Sequence, residues 1–163
     1  MVGNCEELID YPYEVAIKIS TSPEIIQLLL DNPTANPEDY NLINTQIFSD
    51  DYIPETLNEV QKFICVDADI PKVTNSTTKD VEVTIYVFMH HDCMKLDNLI
   101  WKERRGKGNR RDHLCNEITK LLNGSSEFGI GKLELTSTMR FRPAKDYSGR
   151  MMKFKAKSFN QSR

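Results

Sequence analysis

The sequence predicts an α+β fold: an antiparallel or mixed four-stranded sheet with helices packed on one face, plus a long extended arm. Three observations lead to this prediction. Residues 81–89 place apolar side chains at every second position, as a strand does, and residues 110–123 repeat them at the spacing of a helix. Residues 31–59 carry three prolines and little periodicity, so they predict a connection longer than an ordinary loop.

The first helix is predicted to begin at Ser22-Pro23-Glu24. Serine is a common N-cap, and proline is favoured at the first helical position. Asn32-Pro33 ends this helix after about two turns. Before it, Val15, Ile17 and Ile19 occupy alternate positions, which predicts a short strand or a docked loop.

The arm follows this helix. Its isoleucine and aromatic residues argue against a disordered segment and favour an interaction arm. We therefore expect two parts that fold as one unit. Residues 1–56 form the N-terminal helix and the extended arm, and residues 57–163 form the α+β core.

The core is predicted to contain strands at residues 62–66, 81–89, 132–142 and 150–159. Its helix is capped by Asn109 and ends at Asn123-Gly124, since glycine commonly follows the last helical turn. Residues from one face of each strand and from the apolar stripe of the helix are predicted to be buried: Val83, Ile85, Val87, Leu114, Ile118, Leu121, Leu133, Leu135 and Phe154.

Charge is divided between two blocks of the sequence. Residues 1–100 hold 5 Lys and Arg against 18 Asp and Glu, a net charge of −13, and residues 101–163 hold 16 against 6, a net charge of +10. Such a chain can pair head to tail with its own copies or present its basic part to a polyanion. The alternative is that folding interleaves the two blocks and cancels most of the field.

The basic block contains a loop with two glycines and the alternating lysines of the last strand. This pattern suits phosphate backbones or an acidic protein surface, and the alternative is a solvated loop and sheet face. The residues predicted to face a lumen or a partner are Lys102, Arg104, Arg105, Lys107, Arg110, Arg111, Lys153, Lys155 and Lys157.

Composition and length exclude several classes of protein. The chain has 163 residues and no apolar run long enough to span a membrane, and its acidic N-terminus does not resemble a signal peptide. Its four cysteines are therefore expected to be reduced thiols.

Two groups of residues offer weak alternatives with chemistry. His90-His91-Asp92-Cys93, with His113 and Cys115, is the only metal-like cluster, but neighbouring histidines on a strand point to opposite faces. Asp67 and Asp69, with Glu82 and Lys79 on the next strand, would suit a metal-dependent nuclease. We expect no catalytic residue, no metal and no cofactor, because a solvated strand end explains these residues as well.

The core resembles the tail terminator (tail completion) proteins of long-tailed bacteriophages. The resemblance rests on the strand Val81–Met89, the helix 110–123 with its Asn-Gly end, and the strands 132–142 and 150–159. Leu121-Leu122-Asn123-Gly124 followed by Phe128-Gly129-Ile130-Gly131 is also similar to small neck proteins of Firmicutes phages and prophages. The arm exceeds a minimal terminator, which leaves a head-to-tail adaptor or stopper of the same neck open.

The resemblance implies a structural virion protein rather than an enzyme. Members form a ring, usually a hexamer, that ends the tail tube and joins it to the head. The implied partners are copies of the chain itself, neighbouring neck and tail tube proteins, and DNA passing through the lumen, with no membrane. The implied location is the virion neck, after assembly in the host cytoplasm. The rival class is a sequence-nonspecific nucleic-acid-binding protein.

Overall fold

A computed structural model of the chain describes residues 6–50, 61–74, 78–97, 99–104, 107–128 and 131–159, without the side chains of Arg104 and residues 157–159. Within these residues the helices are α1 (Glu7–Ser20), α2 (Pro23–Leu30) and α3 (Arg110–Leu122). The strands are β1 (Ile47–Phe48), β2 (Lys62–Val73), β3 (Thr78–His90), β4 (Glu134–Phe141) and β5 (Tyr147–Phe159). Three single turns of 3₁₀ helix, Pro37–Asp39, His91–Cys93 and Lys102–Arg104, lie in the connections.

The strands form one sheet in the order β1-β2-β3-β5-β4. β1 runs parallel to β2, and the other neighbours are antiparallel. The predicted α+β class and mixed sheet are confirmed. The sheet has five strands rather than four, because part of the predicted arm supplies β1.

The helices cover one face of the sheet. That face presents the odd-numbered residues of β3, and Val81, Val83, Ile85, Val87 and Met89 are all fully buried against the helices in the main core. The opposite face has a smaller cluster that contains no helix residues, and its aromatic members all lie on strands: Phe48, Phe63, Tyr86, Phe88, Phe141 and Tyr147.

Seven of the nine predicted core residues are buried. Leu121 and Leu135 are only partly buried and pack against the edge of the main core. Leu114 and Ile118, one turn apart on α3, are fully buried, as the helical stripe predicts. The main core also contains Tyr11 and Phe154, so residues on both sides of position 56 share it.

The prediction of a strand or loop before Ser22 is wrong, because this segment is helix α1. The alternation of Val15, Ile17 and Ile19 hid a helical stripe in which Tyr11, Val15 and Ile19 recur every four residues and are buried. Helix α2 is confirmed, and the left-handed conformation of Asp31, with φ of 55°, ends it.

The described part of the predicted arm packs against its own chain. Leu42 and Ile47 are buried in the main core, and Ile47 lies beside Ile64 of β2. An extended arm is therefore wrong for residues 31–50. Residues 51–60 lie outside the described residues.

A bulge in β4 places Leu135 and Met139 on opposite faces of the sheet, whereas the sequence pattern predicted one face for both. The pairing with β5 shifts between Leu135 and Ser137, so Thr136 is the extra residue. Leu135 pairs with Phe154 on the helix side, whereas Met139 pairs with Met151 on the opposite face. Strict alternation across the bulge therefore does not hold, because one inserted residue exchanges the faces.

Candidate partner-facing surface

The basic loop that follows β3 is anchored to the rest of the protein at Trp101. Trp101 is buried, its indole N–H donates to Asp31 Oδ1 at 3.3 Å, and its backbone N–H donates to the Asp97 carbonyl at 2.8 Å. Lys102 and Lys107 beyond this base are exposed. The side chain of Arg104 and the whole of Arg105 lie outside the described part of the chain.

Arg110 does not face a partner, contrary to the prediction. Its side chain is buried and forms an ion pair with Asp31, with Nη2 to Oδ1 at 2.7 Å. Nη1 donates to the Leu28 carbonyl at 2.6 Å, and Nε donates to the Cys93 carbonyl at 2.7 Å. The last carbonyl groups of α2 have no N–H partner within the helix, and the Arg110 guanidinium donates a hydrogen bond to one of them, the carbonyl of Leu28.

These contacts shift the pKa of Asp31. Burial alone would raise the pKa of its carboxyl group, but the hydrogen bond and charge of Arg110, with the hydrogen bond from Trp101, outweigh it and lower that pKa. The Asp31 carboxylate therefore joins the end of α2 to the start of α3 and to the base of the basic loop.

Arg111 is also directed into the protein. Its Nε donates to Asp112 Oδ1 at 3.0 Å and its Nη1 to Ser148 Oγ at 2.6 Å. Arg150 Nε donates to the same Asp112 oxygen at 3.0 Å. Burial alone would raise the pKa of Asp112, but Arg111 and Arg150 together lower it. The predicted Asn109 cap is confirmed, since its Oδ1 accepts from the Asp112 N–H at 2.9 Å.

The lysines of β5 lie on the sheet face without helices. Lys153 Nζ is 3.3 Å from Glu82 Oε1, and Lys155 Nζ is 3.8 Å from Glu82 Oε2. Glu82 is little exposed, whereas Lys155 keeps more than half of its side chain in solvent. Two lysines therefore share one carboxylate. Glu134 of β4 pairs with Lys155 and lies on the same face, so acidic side chains are interspersed with the lysines there. The side chain of Lys157 is outside the described residues.

The metal-like and nuclease-like groups do not form sites. Among the described residues, no three His, Cys, Asp or Glu side chains come together as a metal site would require. Cys93 and Cys115 are buried, and burial raises the pKa of Cys115 to about 12. Lys79 is buried on the helix side, where it pairs with Glu7, while Glu82 belongs to the other face.

The structure contains a second kind of surface, which the sequence pattern did not predict. On α1, Ile9, Tyr13 and Ile17 are exposed, and beside the basic loop Leu99 and Ile100 are exposed as well. A helical reading of residues 7–20 would have shown the first group, since its members are four residues apart. None of the described helices is long and apolar enough to cross a membrane.

The fold is α+β, with one sheet face covered by helices. Residues 22–156 match the model of the YomW family, and the chain belongs to that family. No curated protein sequence matches the chain.

The fold is similar to that of a chain in a solved structure titled "Virion of native gene transfer agent (GTA) particle". The TM-score is 0.56 at 13% sequence identity, over 90% of this chain and 92% of the other. At this identity the likeness shows a shared fold.

Proposed function

We propose that this chain is a structural protein of a phage-type virion, and that it forms the neck ring that ends the tail tube and joins it to the head-side connector. One observation carries the proposal: the likeness to a chain of the gene transfer agent particle spans nearly the full length of both chains. A likeness confined to a few strands would be far weaker support.

The chain's own properties support assembly with other copies. Residues 1–100 and 101–163 carry net charges of −13 and +10. Folding pairs part of this charge within the chain, as in Asp31–Arg110 and Glu82–Lys153, while apolar side chains remain exposed on α1 and beside the basic loop. Opposed charges favour head-to-tail contacts, which form a ring when the rotation between copies closes. We propose a homo-oligomeric ring, a hexamer by resemblance, that contacts neck and tail tube proteins in the virion after assembly in the host cytoplasm.

We propose no enzymatic activity. Asp67, Asp69 and Glu82 share the sheet face without helices, and Asp69 lies opposite Glu82. They do not form a metal-like cluster among the described residues, and Lys79 lies on the helix side, paired with Glu7. The remaining basic side chains act instead by charge. Lys102, Lys107, Lys153 and Lys155 are candidates to face DNA or an acidic protein, and Arg104, Arg105 and Lys157 join them in the proposal.

The test is deletion of the gene from the phage or prophage that carries it, followed by electron microscopy of the particles. A tail terminator predicts tails of abnormal length and heads without tails, and the protein itself should be found at the neck by immunogold labelling. Wild-type particles that lack the protein would contradict a virion role.

An adaptor or stopper of the same neck is the alternative within the virion. Its loss should leave tails of normal length beside unjoined heads. The exposed lysines favour a second alternative, sequence-nonspecific nucleic-acid binding, in which the isolated protein binds duplex DNA with an affinity that falls steeply as salt rises.

A further inference from the structure

We propose that the exposed apolar stripe of α1 is the docking site for Leu99, Ile100, Lys102 and Lys107 of a second copy of this chain. This proposal rests on the ring proposed above and names the contact that builds it. The α1 stripe consists of Ile9, Tyr13 and Ile17, whose exposed fractions are 71%, 51% and 36%. Four-residue spacing places all three on one side of the helix.

The α1 stripe is not a by-product of the core. The buried side of α1 is formed by other residues, among them Tyr11, Val15 and Ile19. An exposed row of large apolar side chains along about two turns of one helix is unusual for a surface that stays in water, where such residues are normally scattered singly.

Acidic side chains border the stripe. Asp10 and Glu14 are exposed and lie one turn from Tyr13 and Ile17 respectively, each at a separation of three residues. The stripe is therefore an apolar surface with a negative edge. Two α1 helices facing each other would place these carboxylates against each other, which disfavours a two-fold contact between identical stripes.

The loop after β3 has the complementary character. Leu99 is 80% exposed and Ile100 is 45% exposed, and the exposed Lys102 and Lys107 follow them. The described part of the loop thus combines two exposed apolar side chains with two exposed lysines, and one exposed acidic residue, Glu103, lies between the lysines in sequence. The base of the loop is anchored through Trp101 and Asp31, so these side chains are carried on a defined part of the fold.

The two surfaces are complementary in hydrophobicity and in charge. Apolar side chains meet apolar side chains, and Lys102 and Lys107 meet Asp10 and Glu14. Because the two surfaces belong to different elements of one chain, each copy can give its loop to one neighbour and its α1 to another. Such a heterologous contact produces a ring when the rotation closes.

The test uses charge reversal in the full-length chain. One variant carries Asp10→Lys and Glu14→Lys, and a second carries Lys102→Glu and Lys107→Glu. Each variant opposes like charges at its own contact, so each alone should sediment as a monomer, with a dissociation constant about tenfold or more above wild type. An equimolar mixture restores opposite charges at every contact, so assemblies of alternating copies should return.

Matched controls separate this contact from general charge effects. Lys72→Glu with Lys145→Glu reverses the same number of exposed charges elsewhere, and assembly should persist. Tyr13→Ser with Leu99→Ser should abolish assembly, while Met139→Ser, at another exposed apolar residue, should not. Circular dichroism should show all variants folded.

Three results would overturn the proposal. The wild-type chain could be a monomer at every concentration, the two reversal variants could assemble like wild type, or their mixture could fail to assemble. A virion role is tested separately by the presence of the protein in particles. Failure of this contact in a protein that is present at the neck would therefore refute only the contact.

Discussion

Arg110 forms an ion pair with Asp31, 79 residues earlier in the chain, with Nη2 to Oδ1 at 2.7 Å. The same guanidinium donates to the carbonyls of Leu28 and Cys93. One side chain therefore joins α2, the connection after β3 and α3. This contact explains why an arginine placed in a basic run is a structural residue rather than a partner-facing one.

Replacing Arg110 by leucine should lower the free energy of unfolding by about 3 kcal/mol, because buried carbonyls lose a charged donor. Arg110→Lys should recover only part of this, since an ammonium group cannot reproduce three divergent N–H contacts. Urea unfolding followed by circular dichroism measures both. Equal unfolding midpoints for Arg110→Leu and wild type would show that the network contributes nothing.

Ile118 and Leu121 provide a matched pair on α3. Ile118 is fully buried, whereas Leu121 is only partly buried. Ile118→Ala should cost about 2–5 kcal/mol, and Leu121→Ala should cost clearly less, because the cost of truncation depends on the cavity that remains. Thermal melting of the two variants tests the order. The reverse order would contradict the placement of the helix stripe.

Gly149 lies directly opposite Phe141 on the sheet face without helices. A β-carbon at Gly149 would lie 2.8 Å from ring atoms Cδ1 and Cζ of Phe141, so the ring would have to move. Gly149→Ala should therefore destabilise the protein by about 1–3 kcal/mol. In the double variant with Phe141→Ala the added cost of Gly149→Ala should largely disappear. Strict additivity in urea unfolding would show that the two sites do not interact.

Acid should destabilise the protein through Asp31 and Asp112. Their arginine partners outweigh the effect of burial and hold both pKa values below their ordinary range in the folded state. A carboxyl group with a lowered folded pKa contributes stability that is complete above its unfolded pKa and is lost as pH falls through the folded pKa. The free energy of unfolding should therefore drop below about pH 4.

Asp112→Asn should make this acid dependence shallower, because it removes one of the two groups. Urea unfolding over a pH series measures the slope. Asp146→Asn, at an exposed position outside both clusters, is the control. A slope identical to wild type in Asp112→Asn would contradict the assignment.

Lys102→Ser with Lys107→Ser should leave folding intact, since exposed substitutions typically change stability by no more than about 0.5 kcal/mol. The yield of infectious particles should fall, with tails of abnormal length or heads without tails, if these lysines face a polyanion or an acidic partner. Lys72→Ser with Lys145→Ser is the control for lost surface charge. Normal particles from the first variant would show that the loop is merely solvated.

The sequence alone was sufficient for the elements whose pattern is local and regular. The burial of alternate residues in β3 and of Leu114 and Ile118 in α3 follows from periodicity, and the Asn109 cap follows from the residue type at the start of the helix. Each of these depends on contacts within one strand or one helical turn. These local patterns also predicted the α+β class and the position of the basic loop.

Only the tertiary structure decided which charged residues remain available. Arg110 and Arg111 look like Lys102 and Lys107 in the sequence, but their partners Asp31 and Ser148 come from distant parts of the chain. The same holds for β1, which is two residues long and exists because β2 lies beside it. Periodicity describes one element at a time, whereas an ion pair or a strand pairing depends on two elements that meet only in the folded chain.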